Sequence, residues 1–593
     1  MVAGAQMNIF AHSSVLVFIM SMINLALPFL AAGMFISLGV VEAAPETASP
    51  ARVLELVEQA RTQSAAKDWK EAARLWGEVV RMNPVQSSYW YSLGGARYQA
   101  GDFKEAAKAY ERSAELGSPV GSYNAIYNAA CSYALAGEKE PAIKALVSAY
   151  ELGFPDFQQM ITDPDLASVR ADPRIIELLS IKDTSKMSRV EGWRYDLSLL
   201  AREVHRKGFN PHLDFNRAIT VDSFDREVQA LDASIPSMTD GQIVLGMAKL
   251  MASLGDGHSG VWDVGENLLW RKALPLRFFW FEEGLFVTAA DSVHRDLLGA
   301  HVLAFDGKPT QEVLKALEPY ESKDRGNQIW GRTGAPYRVR RLTLLHAAGL
   351  IKSPDEVTLT IIRTSGKKAD VVVASVDKET DIWNTLPAPA SWVTFASTLK
   401  SPPLYLQHMD VPQWFQYLPD QKTMYFQWNL VRNAKNKTIA QFSDSLFQFI
   451  NANPVDKLII DMRWNNGGNT FLGQPLLLNL IKCEKINQNG RLFVIIGRRT
   501  FSAAQNMATY FDRYTNATFV GEPTGSSPNF VGEEDPITLP YSKVMANVSH
   551  LYWQSSWPQD QRMWVAPDIY VPPTFADFQA GRDAGLEAVL GLP

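Results

Sequence analysis

A short motif recurs near the amino-terminal end of this 593-residue chain. Lys67-Asp68-Trp69-Lys70-Glu71-Ala72-Ala73 returns 34 residues later as Gly101-Asp102-Phe103-Lys104-Glu105-Ala106-Ala107. A third copy, Gly137-Glu138-Lys139-Glu140-Pro141-Ala142, follows 36 residues after that. A fixed period of this length marks stacked supersecondary units, none of which can bury its apolar face alone. Each unit reads as a helical hairpin. Ala72, Ala106 and Ala142 are small residues where two helices would pack closely, and Pro84 closes one unit. The two extra residues of the third copy are expected in the turn at 117–121.

Residues 52–153 thus resemble tetratricopeptide repeats, inside an all-α region at 50–182. Such a solenoid implies a concave surface for a peptide or protein partner; the plainer alternative is packing against the next domain. Upstream, no charged residue precedes Glu42, and Val15–Val41 is one long apolar run. Residues 1–43 are therefore expected to be an export signal or a membrane anchor, with 45–50 as a linker. The rest is expected to be exported, periplasmic or extracellular, touching a membrane only through a retained amino-terminal segment.

The formal charge is −6, which argues against a nucleic-acid binder. The only cysteines are Cys131 and Cys483, so there is no disulfide framework and no cysteine-based zinc site. Both are expected to be buried thiols.

Beyond the repeats the texture changes. Residues 190–265 read as largely helical and end in Leu254-Gly255-Asp256-Gly257-His258-Ser259, a turn carrying a histidine. Residues 266–395 alternate short apolar runs with turns. Asp306-Gly307 and Ser365-Gly366 are hairpin signals. Residues 396–593 alternate strand and helix, with strands at 424–428, 457–462 and 492–496 and helices at 438–450 and 471–481. After Leu492–Ile496 the chain breaks at Gly497-Arg498-Arg499-Thr500-Phe501-Ser502-Ala503-Ala504-Gln505 and resumes as a helix.

Ser502 thus stands where a strand turns into a helix. Free amides at a helix start favour negative charge, so the serine is placed either as an acyl nucleophile or as an ordinary helix N-cap. Asn466-Gly467-Gly468 ends the neighbouring strand. Glycine there is a plain turn or a close approach to a ligand. Amides at Gly467 and Gly468 together with Ala503 would make an oxyanion hole.

The set Asp256-Gly257-His258-Ser259, Asp461-Met462-Arg463-Trp464-Asn465-Asn466-Gly467-Gly468 and Thr500-Phe501-Ser502-Ala503-Ala504-Gln505 resembles the C-terminal-processing and tricorn-like serine peptidases, the tail-specific protease family. Gly521-Glu522-Pro523-Thr524-Gly525 and Pro567-Asp568-Ile569 agree, and the resemblance covers about 190–593. It implies a crotonase-like α/β peptidase domain with a PDZ-like β-rich insertion at 266–395. It implies a serine endopeptidase with Ser502 as nucleophile. One branch of the family uses a lysine 25 residues after the serine, but that position is Ser527, and the only later lysine is Lys543. The other uses the histidine of the turn, so His258 is the expected base. A carboxylate before the final Pro-Asp orients it in that branch; the nearest is Asp560, which is otherwise a solvated loop acid. Two departures stand out: Gln505, where the motif commonly has Glu, and Ser526-Ser527 in a stretch usually richer in glycine.

No H-E-x-x-H, P-loop or G-x-S-x-G signature is present, and no metal or organic cofactor is implied. The expected function is peptide-bond hydrolysis, with the repeats and the β-rich module recruiting substrate or partner. The alternatives are a non-catalytic protein that binds an apolar ligand or peptide on the same fold, and a repeat-based scaffold with a vestigial hydrolase domain.

Overall fold

The computed structural model describes residues 51–592 except 119, 155–156, 180–181, 210–217, 263–268, 270, 378–387 and 390. The segment 1–43 and the linker 45–50 lie outside the described residues. No described helix is long and apolar enough to cross a membrane.

The repeats form three helical hairpins: Ala51–Ala65 with Trp69–Met82, Ser87–Gln99 with Phe103–Glu115, and Ser122–Leu135 with Lys139–Glu151. The turn inside each hairpin needs a left-handed residue, supplied by Lys67 (φ 62°), Gly101 (φ 82°) and Gly137 (φ 75°). Ala72, Ala106 and Ala142 are fully buried, as close helix crossing demands. The longer connection lies at 116–121, ahead of the third hairpin.

This solenoid is fastened to the rest of the chain. Arg206 donates to the carbonyls of Tyr150 and Phe154 (3.1 and 3.0 Å). Its guanidinium lies 4.4 Å from the Tyr150 ring centroid and pairs with Glu203 at 2.7 Å. The next residue, Lys207, is buried and reaches Asp535 at 3.2 Å.

Helices Arg189–Glu203, Val221–Ser234 and Asp240–Ser253 follow. They share one apolar core with an antiparallel sheet built from Leu276–Phe281, Gly284–Ala290, His301–Phe305, Glu356–Ile362 and Lys368–Ala374. Both expected hairpins are present: Asp306-Gly307 joins His301–Phe305 to Lys308–Pro309, and Ser365-Gly366 lies between the last two strands. Buried residues from both sides of the 265/266 boundary belong to this one core, which also takes in Leu539 and Val548 from the carboxy-terminal part.

The last region is a six-stranded sheet in the order Gln413–Leu418, Thr423–Trp428, Lys457–Asp461, Leu492–Ile496, Thr518–Gly521, Ile569–Tyr570. The first pair is antiparallel and the rest are parallel. Thr423–Trp428 and Leu492–Ile496 are buried on both faces, as expected of strands covered on each side by helices. The expected helix over 471–481 begins as a 3₁₀ turn at Thr470–Gly473. The α-helix proper is Gln474–Lys482, with Pro475 in its first turn. Cys131 and Cys483 are both buried and free.

A long hairpin, Asn529–Thr538 with Met545–Gln554, leaves this sheet and pairs with Gly260–Trp262. The register Gly260↔Asn547 is what carries the turn holding His258 across to the region holding Ser502.

Candidate active site

The strand Leu492–Ile496 and the helix Ala503–Tyr514 are joined by a braced elbow. Thr500 Oγ1 donates to the Met462 carbonyl (3.0 Å) and accepts the Gly497 amide (3.1 Å). Phe501 N–H reaches the Asn465 carbonyl at 3.2 Å, and Gly525 N–H reaches the Thr500 carbonyl at 2.9 Å. Arg498 forms a buried pair with Glu522 at 2.5 Å. Within this frame Ser502 sits at φ 55°, ψ −127°, a conformation that a residue with a Cβ rarely adopts. Its side chain makes no capping bond to the helix it precedes. The ordinary N-cap role is therefore not the one it fills. Such strain costs about 1–3 kcal/mol and persists where the surroundings over-determine it.

His258 is 7% exposed. Its ring is sandwiched between Phe501 (centroids 4.5 Å) and Phe530 (5.4 Å, interplanar 6°). Nδ1 has no hydrogen-bond partner among the described residues. Asp256, in the same turn, accepts the His258 amide at 3.0 Å and the Ser549 hydroxyl at 3.1 Å. His258 and Ser502 line one cavity of about 800 Å³, together with Gly467, Gly468, Ala503, Phe501 and Phe530.

Gly467 and Gly468 have φ of 117° and 135°. A Cβ on Gly467 would stand 2.7 Å from Ser502 Cβ and 3.1 Å from the Ala503 nitrogen, so this glycine packs directly against the elbow. Its amide is committed elsewhere: Gly467 N–H donates to Asn465 Oδ1 at 3.0 Å. The expectation that it is an open oxyanion donor is corrected accordingly, because a local Asx-type bond has captured it. The amides of Gly468 and Ala503 make no hydrogen bond among the described residues.

Asp560, expected to orient His258, is engaged by its neighbour. It accepts from Arg562 Nη2 at 2.8 Å and Nε at 3.0 Å, and none of its hydrogen bonds goes to His258 among the described residues. Burial alone would raise its carboxyl pKa, but the bonds and charge of Arg562 outweigh that and hold it at about 2. The carboxylate found beside the histidine turn is Asp324, 3% exposed. Oδ1 accepts Gly257 N–H and Oδ2 accepts Ser527 N–H, each at 2.9 Å. Oδ2 also accepts the Ser526 hydroxyl. Burial pushes the Asp324 carboxyl up. The Ser526 bond, the charge of His258 and the two amides oppose that rise without cancelling it. No sequence signal marks Asp324, because its partners come from two other stretches of chain.

Residues 57–119 match the family model described as tetratricopeptide repeat. Among solved structures, the chain is similar to mature CPAF complexed with lactacystin at 14% identity and TM-score 0.49, covering 68% of this chain and 97% of that one. It is also similar to the photosystem II D1 C-terminal processing protease at 12% identity and TM-score 0.32, covering 67% and 96%. A putative peptidase from Parabacteroides merdae is similar at 12% identity and TM-score 0.33, covering 68% and 96%.

Proposed function

We propose that the protein is a serine peptidase in which Ser502 is the nucleophile and His258 the general base. The observation that carries this reading is a strained serine whose hydroxyl caps nothing, in the same cavity as a buried histidine with an unpartnered ring nitrogen. Ser502 Oγ adds to a peptide carbonyl carbon while His258 takes its proton, a role contributing about 10²–10⁴ in rate. The carbonyl oxygen becomes an oxyanion and accepts from the Gly468 and Ala503 amides, each worth about 10²–10³. The C–N bond then breaks as His258 hands its proton to the leaving amine, and the acyl group stays on Ser502 as an ester. Water adds to that ester and gives a proton to His258. Ser502 recovers the proton as the acid leaves.

In this reading the solenoid and the β-rich module recruit substrate or partner, and the protein works outside the cytoplasm. The test is hydrolysis of internally quenched peptides by the purified protein. His258→Ala should lower the rate at least 100-fold. Wild-type protein that hydrolyses none of them, but carries an apolar ligand through purification, would instead support a binding protein.

Asp324 is a positioning residue in this scheme. Asp324→Asn keeps the size but replaces one acceptor oxygen with an NH₂ that must face Gly257 N–H or Ser527 N–H. An unmade buried bond costs about 1–3 kcal/mol, so kcat/KM is expected to fall about 10-fold. Stability responds to pH. Folding raises the Asp324 carboxyl pKa, so its contribution is full below the unfolded value of about 3.9 and fades as pH rises through the folded value. That slope should be missing in the asparagine variant, as chemical denaturation across pH would show. A kcat/KM within about 2-fold of wild type would leave Asp324 purely structural.

A further inference from the structure

The wall of the cavity beside His258 is acidic in an unusual way. In a regular strand, successive side chains point to opposite faces. In Asn529–Thr538 the ladder pairs Gly532 with Leu551 and Glu534 with Ser549, but Glu533 between them is unpaired and sits at φ 55°. The interruption breaks the alternation, and both Glu533 and Glu534 line the cavity. Both are exposed, and neither forms an ion pair among the described residues. Asp535, next along, turns inward to Lys207 and His550.

The cationic groups of the cavity lie elsewhere. Arg338 is paired with the buried Glu321. Arg432 adjoins Val431, which bridges to Gly468, and Arg499 belongs to the Ser502 elbow. The acidic side of the cavity is thus the strand stretch that follows Gly532 beside His258, while Arg432 and Arg499 adjoin the glycine turn and the elbow.

Which part of a substrate meets the acidic side follows from the chemistry. The base that takes the serine proton must return it to the leaving amine, so the leaving segment departs along the imidazole. Gly532 is in contact range of that imidazole: a Cβ on it would stand 3.5 Å from His258 Cε1. The two glutamates follow Gly532 directly. The solenoid reaches the same rim. Burial, then the charges of Asp535 and Glu533, raises the Tyr123 hydroxyl pKa.

We propose that Glu533 and Glu534 select substrates with a Lys or Arg side chain in the segment released as the amine product, just after the scissile bond. The inference rests on the peptidase reading and names the substrate class of that same site. Exposed charge pairs are individually weak, so two glutamates acting together should give about a 10-fold preference.

The experiment uses the full protein and internally quenched peptides identical except for Lys, Ala or Glu at the first two positions after the cleaved bond, which is mapped by mass spectrometry of the products. The kcat/KM order should be Lys over Ala over Glu, with the Lys/Ala ratio near 10 at low salt and falling as salt rises. In Glu533→Gln/Glu534→Gln that ratio should drop below 2. In Glu533→Lys/Glu534→Lys the order should reverse. A fluorophosphonate probe, which carries no leaving peptide, reports separately on Ser502. Labelled enzyme with a Lys/Ala ratio near 1, or a ratio unchanged in the double variant, overturns the specificity inference alone. Absent labelling together with absent hydrolysis overturns the peptidase reading, and the specificity inference falls with it.

Discussion

Ser502→Gly is expected to abolish activity and stabilise the fold at the same time. The hydroxyl is the nucleophile in the proposed scheme, so kcat/KM should fall at least 1,000-fold. Stability should move the other way. Ser502 holds φ 55°, ψ −127°, a region open to glycine and costly to any residue with a Cβ. Glycine relieves that strain but also loosens the unfolded chain, which offsets part of the gain. The net is about 0.5–1 kcal/mol over Ser502→Ala, which loses the hydroxyl but keeps the Cβ. A gain of that size raises Tm by about 2 °C in a domain of 150–250 residues. Calorimetry of the two variants side by side isolates the strain, since both lack the nucleophile. Equal Tm values would mean that the elbow is not strained, and the main observation behind the assignment would be lost.

Gly467→Ala should be nearly as damaging, through space rather than chemistry. The added Cβ would meet Ser502 Cβ at 2.7 Å and backbone atoms of Phe501 and Ala503 at 3.1 Å. These atoms belong to the elbow and cannot swing aside as a flexible side chain would. The position also has φ 117°, unfavourable to alanine. The elbow or the Asn465–Gly467 turn must shift, and a displacement of about 1 Å at a nucleophile costs about 100-fold. Stability should fall by about 2–3 kcal/mol, in line with overpacking plus backbone strain. Rates within 3-fold of wild type would show that the turn does not set the position of Ser502.

The sequence displayed those features whose causes are local. The period of the repeats follows from one turn per hairpin that must go left-handed, and Gly101 and Gly137 announce it; Lys67 does the same work without the glycine signal. Leu492–Ile496 was legible because a strand buried on both faces must be apolar throughout. Ser502 and His258 were legible as motif members, but their shared cavity was not. It depends on Gly260–Trp262 pairing with a hairpin that begins about 270 residues later in the chain. Asp324 was hidden for the same reason, since Gly257 and Ser526-Ser527 converge on it from both directions. The serines that depart from the glycine-rich pattern after Thr524 thus gain a reason: they hold Asp324. Gln505, the other departure, is buried inside its helix, where Nε2 donates to Thr509 Oγ1 at 3.1 Å. Asp560 is marked in the sequence only by its place in the chain, and an arginine two residues on is close enough to claim it. The division at 265/266 followed a change of texture along the chain, whereas packing joins the two sides in one core.

The most direct test of the account is covalent. A fluorophosphonate should modify the purified protein at a single residue, identified by peptide mass spectrometry as Ser502. Ser502→Ala should carry no adduct, and His258→Ala should react at least 100-fold more slowly, because an unactivated serine hydroxyl is a weak nucleophile. An adduct elsewhere, no adduct on Ser502, or equal rates with and without His258 would contradict the proposed chemistry.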